Sequence, residues 1–277
     1  MAEQIQWYPG HMAKAERQIK KEMSKADVVA VLGDARAVDI SLNSDFIKGL
    51  GTKKHVVIYN KSSMADSKVT ESWKKRFAAE NRDVFFSDCV TREGIREIES
   101  YFGRIKSSFK FNRPIKVIVA GIPNVGKSMF INTLCAKNSA KTGNTPGVTR
   151  GVNWIKGSEN YYMLDTPGVL PPKFSTQEEG ALLASIGCVK EEILDKTALA
   201  VFIIDMVRKY YPENLIRRYK VDLEGKTDEE VLDDICVKRG LLLSGGRLDY
   251  ARGSKMIMDE FKNGRMGAMS FSRPDGQ

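Results

Sequence analysis

The octapeptide Gly121-Ile122-Pro123-Asn124-Val125-Gly126-Lys127-Ser128 constrains this chain more than any other feature. It fits G-x-x-x-x-G-K-[ST], follows the apolar run 115–120, and precedes residues of helical composition starting around Met129. Strand, glycine loop and helix in that order build a phosphate cradle. The backbone around Val125, Gly126 and Met129 wraps the phosphates, Lys127 reaches the β and γ phosphates, and the Ser128 hydroxyl ligates Mg²⁺. A chance glycine-rich turn is the alternative, and the flanking strand and helix weigh against it.

The surrounding pattern supports an α/β fold. Residues 28–32, 55–59, 83–86, 115–120 and 161–164 read as short buried strands, separated by helical segments at 68–80 and 95–107, with 110–114 as a connector. Strands alternating with helices predict a mostly parallel sheet flanked by helices. A further helix is expected over 12–25, with Met12, Ala15, Ile19 and Met23 near one face. From about Ser175 the texture becomes that of amphipathic helices, as at Leu199, Phe202, Ile203 and Met206. The expected organisation is therefore an α/β domain over residues 1–174 and a smaller all-helical domain over 175–277. Thr227-Asp228-Glu229-Glu230 reads as a capping box opening a helix that buries Val231, Leu232 and Ile235, and a last helix runs over 249–262.

Composition narrows the partner rather than the fold. A formal net charge of +9 suits a polyanion. Cys89, Cys135, Cys188 and Cys236 are scattered without metal-ligand spacing, so free thiols in a reducing compartment are expected. Residues 1–6 are polar, unlike a secretory signal, and no apolar run is long enough to span a bilayer. Charge alone leaves RNA, DNA and acidic membrane all open as partners, and the expectation for the whole is a soluble cytoplasmic protein with no membrane partner.

Asp165-Thr166-Pro167-Gly168 follows the glycine loop by about forty residues and comes directly after an apolar run, as a second metal-side motif does in phosphoryl-transfer proteins. Asp165 would hold Mg²⁺ through a water, and the Gly168 N–H would meet the γ phosphate. Between the two motifs, residues 143–149 form a loop in which Thr149 is placed to ligate Mg²⁺ only when the γ phosphate is present.

The glycine loop, Pro146-Gly147-Val148-Thr149 and Asp165-Thr166-Pro167-Gly168 resemble the first three motifs of the Ras-like GTPases. The N-K-x-D motif that reads guanine normally follows them, but here its nearest match, Asn60-Lys61-Ser62-Ser63, precedes them. That order resembles the circularly permuted GTPases. Trp7-Tyr8-Pro9-Gly10-His11-Met12, Asp34-Ala35-Arg36 and Lys238-Arg239-Gly240-Leu241-Leu242 resemble the bacterial ribosome biogenesis GTPase A family over nearly the whole chain. The resemblance implies a circularly permuted Ras-like P-loop GTPase domain that binds GTP and GDP with Mg²⁺. It implies that Asn60 and Lys61 orient the base and that Ser87 and Cys89 lie where the weakly defined fifth motif contacts it. It also implies a catalytic set of Lys127, Thr149 and His11, the histidine aligning water once a partner is bound. For His11 a surface histidine at a helix start is the alternative. Asn124 beside a potassium ion is likewise implied, against the alternative that it stabilises its turn.

This sequence departs from the pattern at two places. Ser63 stands where the family has an aspartate that accepts from guanine N1–H and N2–H, a loss worth about 1.5 to 3 kcal/mol. On that reading an aspartate restored at 63 would sharpen the preference for GTP, and nearby Asp66 is a possible stand-in. Val169 and Leu170 follow Gly168 where Ras-like enzymes place a glutamine that orients water, so intrinsic hydrolysis should be slow.

The charge concentrates at Lys238, Arg239, Arg247, Arg252, Lys255, Lys262 and Arg265, with more at Lys14, Arg17, Lys20 and Lys21. A solvated helix face is the plain alternative, but with the resemblance the expected partner is rRNA of a maturing large (50S) subunit, with no DNA partner and a monomeric chain. Tyr210-Tyr211 is read either as a base-stacking pair or, beside Pro212, as core or hinge. The whole reads as an assembly GTPase that hydrolyses GTP when docked. A nonhydrolysing RNA-binding scaffold and an NTPase of relaxed base choice are the rivals.

Overall fold

The computed structural model describes residues 17, 19–108, 113–135, 153–157, 160–168, 174–189 and 195–274. Its centre is a six-stranded sheet in the order β3-β2-β1-β4-β6-β5, built from β1 (Val28–Asp34), β2 (His55–Asn60), β3 (Val84–Phe86), β4 (Ile115–Gly121), β5 (Asn153–Lys156) and β6 (Tyr161–Asp165). All neighbours pair in parallel except β5, which runs antiparallel to β6 at the edge. β5 is absent from the sequence reading, because four residues flanked by loop sequence carry too little periodicity to register.

Period-two alternation explains why the middle strands are apolar throughout. Val28, Ala30 and Leu32 of β1 enter one cluster together with Val117 and Val119 of β4, while Val29 and Val31 join Ile118 and Ala120 in another. A strand buried on both faces needs helices on both sides. On the first face lie α3 (Ile95–Ser107) and α4 (Lys127–Cys135), contributing Ile98, Phe102, Phe130 and Ile131. On the second lie α1 (Ser44–Gly49) with Phe46 and α2 (Ser67–Ala79) with Trp73 and Phe77. Residues 19–23 are helical and Ile19 is fully buried on that second face; Met12 and Ala15, expected on the same stripe, lie outside the described residues.

The remaining helices are α5 (Gln177–Ser185), α6 (Lys196–Tyr210), α7 (Pro212–Tyr219), α8 (Asp228–Lys238) and α9 (Tyr250–Lys262). Their apolar faces continue the α3–α4 cluster without a break, through Leu183, Ile203, Val207, Ile235 and Phe261. The capping box is present: the Glu230 N–H donates to Thr227 Oγ1 at 3.3 Å and the Thr227 N–H donates to Glu230 Oε2 at 2.7 Å. No helix of the described residues is long and apolar enough to cross a membrane. All four cysteines are buried and stand outside disulfides, with the Cys89 and Cys188 thiols each pushed up to about 12 by burial.

A buried ionic network joins these parts at the end of the central strand. Asp34, fully buried, accepts from Arg36 Nε and Nη2 at 2.9 and 2.8 Å and pairs with Lys61 Nζ at 3.0 Å. Arg36 Nη1 then donates to the carbonyls of Phe261 and Lys262, closing the last turn of α9. Burial alone would raise the Asp34 pKa, but Arg36 and Lys61 overcome it and hold the carboxyl well below the usual carboxylate range. A folded-state pKa below the unfolded value of about 3.9 contributes stability above that pH and loses it as pH falls. Asp34→Asn should therefore destabilise the protein by about 3 kcal/mol at pH 7, because it leaves buried Arg36 undercompensated. In denaturant melts the difference from the unaltered protein should shrink below about pH 4.

Candidate functional site

The carboxyl edge of the parallel strands gathers the chemistry. β1 ends in Asp34, β2 in Asn60, β4 in Gly121 and β6 in Asp165, and Ser87 directly follows β3. Ligands of open α/β sheets sit outside this edge, where successive loops diverge.

The glycine loop turns from β4 directly into α4, which starts at Lys127, two residues earlier than expected. Gly126 has φ of +95°, and a Cβ there would lie 2.4 Å from the Asn60 amide nitrogen. That close approach serves a bond: Asn60 Nδ2 donates to the Val125 carbonyl at 2.8 Å, while the Cys89 thiol donates to Asn60 Oδ1 at 3.2 Å. Asn60 thus ties the base-loop strand end to both the phosphate loop and the segment after β3. Lys61 adopts a left-handed backbone, φ 61°, and its ammonium is held by Asp34.

Lys127 is buried, and its ammonium donates to the Ile122 and Gly121 carbonyls at 2.8 and 3.2 Å. Burial drives its pKa down to about 8 against the opposing pull of Asp165. A cation held in so dry a place favours a neighbouring anion. Ser128 Oγ donates to Asp165 Oδ2 at 2.8 Å, so the two oxygens expected at the metal are already adjacent. Among the described residues no group of three or more His, Cys, Asp or Glu converges. One hydroxyl and one carboxylate suit Mg²⁺, which keeps most of its coordination sphere for water and substrate phosphate. Thr166 donates to the Val119 carbonyl at 2.7 Å, and Gly168 packs so tightly on Pro123 that a Cβ would sit 2.7 Å from its backbone. The Asp165 motif is therefore fastened on both sides of its proline, to β4 through Thr166 and to the glycine loop through Gly168.

Asn124, also left-handed at φ 59°, turns its amide nitrogen to the Gly187 carbonyl at 2.5 Å. Met129 is partly exposed on α4. In the base region Ser87 is buried and its carbonyl accepts from the Ser62 N–H at 3.0 Å. Exposed Ser63 donates to Asp88 Oδ2 at 2.5 Å. Asp66 is committed elsewhere, capping α2 through the Lys68 and Val69 N–H groups and accepting from the Tyr211 hydroxyl. It does not stand in for the missing aspartate. His11, Thr149, Val169 and Leu170 lie outside the described residues.

Two contributors escaped the sequence reading. The anchoring of Lys61 by Asp34 was signalled only by an Asp-Ala-Arg at a strand end. The segment 269–272 carried no periodic signal, yet it straps the base loop: the Met269 N–H donates to the Met64 carbonyl, Ser270 Oγ accepts from the Asp66 N–H, and the Phe271 N–H donates to the Arg36 carbonyl. Tyr211 belongs to this strap through its hydroxyl bonds with Ser270 and its edge contact with Phe271, which makes it a core residue rather than a base-stacking one.

A phosphate loop after β4, an aspartate motif after β6 and a base loop on the earlier β2 define a P-loop GTPase whose motifs run in circularly permuted order. A family model described as 50S ribosome-binding GTPase matches residues 116–233. Ribosome biogenesis GTPase A of Bacillus cereus is 37% identical over 279 residues, covering 98% of this chain and 94% of its own. The GNP-bound crystal structure of YlqF from T. maritima is similar at a TM-score of 0.66 and 25% identity, covering 95% of this chain and 100% of that one. A GDP-bound YlqF structure gives 0.67 and 26%, covering 94% and 100%. The chain belongs to the ribosome biogenesis GTPase A family, and it is a GTP hydrolase.

The Gly126 contact generates a direct check. Gly126→Ala combines the clash on Asn60 with an unfavourable φ, a strain of about 1 to 3 kcal/mol. It should weaken both GTP and GDP in calorimetry by roughly 10-fold or more, since the base-loop link and the phosphate loop are disturbed together.

Proposed function

We propose that this protein assists maturation of the large ribosomal subunit in the cytoplasm, binding the rRNA of a precursor particle as a monomer in its GTP state and leaving after hydrolysis. The reading rests on one arrangement: α9, whose C-terminal carbonyls Arg36 holds, belongs to a helical region with an exposed basic flank. Lys238, Arg247, Arg252, Lys255 and Arg265 are exposed there, beside exposed Val237, Leu242, Leu243 and Tyr250. A basic field interleaved with apolar and aromatic side chains suits a ribonucleoprotein surface. Arg239 contributes less than its charge implies, because it donates to the Arg218 carbonyl at 2.9 Å and stacks on Tyr219. The ribosome-related names of the relatives point the same way. We divide the roles at residue 174, with nucleotide chemistry before it and particle docking after it.

In this scheme Ser128, Asp165 and Thr149 hold Mg²⁺, and Asn124 borders a potassium ion. A magnesium ion held by these residues would supply charge neutralisation at the phosphate oxygens. Lys127 grips the β and γ phosphates, the Val125, Gly126 and Met129 backbone wraps them, and the Gly168 N–H meets the γ phosphate and senses its loss. Asn60 and Lys61 orient the base, with Ser63, Ser87 and Cys89 around it. His11 aligns the attacking water once the particle is bound, a contribution on the order of 10²- to 10⁴-fold.

Steady-state phosphate release, with and without purified large subunits, tests the scheme. Large subunits should accelerate release. His11→Ala should lose most of that acceleration while keeping GTP affinity, and Lys127→Ala should lose GTP binding. Absence of acceleration, or an unaffected His11→Ala variant, would remove the docking-triggered step.

A further inference from the structure

The family's guanine-reading aspartate is a serine here, yet a carboxylate stands directly behind that serine. Asp88 follows β3, on the segment that also carries Ser87 and Cys89, and its side chain is almost fully buried. Its Oδ1 accepts from the Val90 and Thr91 N–H groups at 2.7 and 3.1 Å, which fixes the carboxylate in place. Its Oδ2 accepts the Ser63 proton at 2.5 Å. Ser63 itself is exposed, so the face of its hydroxyl turned away from Asp88 offers lone pairs outward.

We propose that Ser63 and Asp88 act together as the guanine discriminator, with Asp88 locking the Ser63 hydroxyl as an acceptor. A free serine hydroxyl rotates, donating to one base and accepting from another, and so distinguishes neither. Once its proton is committed to a fixed carboxylate, the hydroxyl can only accept at its outer face. Guanine presents N1–H and N2–H donors to such an acceptor. Adenine presents the N1 lone pair, which meets the Ser63 oxygen without a proton between them. Selectivity then arises as much from the repulsion of adenine as from attraction of guanine. The carboxylate has moved one shell back and 25 residues along the chain, and its charge reaches the base through the serine. Ser63 is the contacting residue and Asp88 the positioning residue. The absence of aspartate at 63 therefore does not relax base choice, and an aspartate restored there would sit against Asp88 as a like charge.

This inference deepens the assignment of Asn60 to Ser63 as the base loop and rests on it. The test is equilibrium binding of GTP and ATP, each measured directly by calorimetry on the unaltered protein and five variants. The unaltered protein should prefer GTP. Asp88→Asn keeps an oxygen able to accept from Val90 and Thr91 while removing the acceptor-only lock, and it should narrow the GTP/ATP ratio by about 10- to 100-fold. Ser63→Ala should narrow it similarly, and the double variant Ser63→Ala/Asp88→Asn no further, because the two act as one unit. Ser63→Asp alone should weaken GTP, whereas Ser63→Asp/Asp88→Ser, which exchanges the two groups, should restore the preference. An Asp88→Asn protein that binds triphosphate with an unmoved GTP/ATP ratio, or a Ser63→Asp protein with sharpened GTP preference, would overturn this inference alone. An unaltered protein that binds neither nucleotide would overturn the site assignment and this inference together.

Discussion

The Asp34 carboxylate is the charge around which this molecule is arranged. It ends the central strand, it is fully buried, and two cations from different directions compensate it. Arg36 reaches across to the last turn of α9, and Lys61 comes from the base loop. An ion so deep is tolerated only while both partners are in place. The position of the base-loop lysine and the docking of the final helix are thereby subject to one electrostatic condition, and displacing either partner is felt by the other.

Much of the fold is legible from residues alone because it follows from short-range rules. β1, β2 and β4 announce themselves as apolar runs too brief for helices, and the capping box at Thr227 marks the start of α8 to the residue. The phosphate end of the site is equally visible, since Lys127 and Ser128 adjoin in sequence and Asp165 follows an apolar run. What stays hidden depends on long-range pairing. β5 exists because β6 offers it an edge, and the 269–272 strap because Met64 and Arg36 offer it carbonyls. The pairing of Ser63 with Asp88 has the same character: each residue alone resembles ordinary loop composition, and only the adjacency of β2 and β3 brings them together. Arg239 shows the converse, a surface charge whose guanidinium local structure already engages.

Asn60 gives the site its rigidity. Bonded to Val125 on one side and Cys89 on the other, it leaves the phosphate loop and the base region little freedom to move independently. The tight seat of Gly168 on Pro123 extends that coupling to the aspartate motif. A ligand that engages one end therefore finds the other preset, which lowers the ordering cost of binding. The cost falls instead on folding, where contacts far apart in sequence close together.

The strap across the base loop has a bearing on biosynthesis. Ser270 meets Asp66 across 204 residues of chain, so a ribosome making this protein extrudes the loop long before the segment that braces it. The nascent sheet can form and its apolar faces can be shielded, while residues 64–66 still lack their brace. Bracing of residues 64–66 thus waits on synthesis of residues 269–272, long after the central strands of the sheet are available to pair.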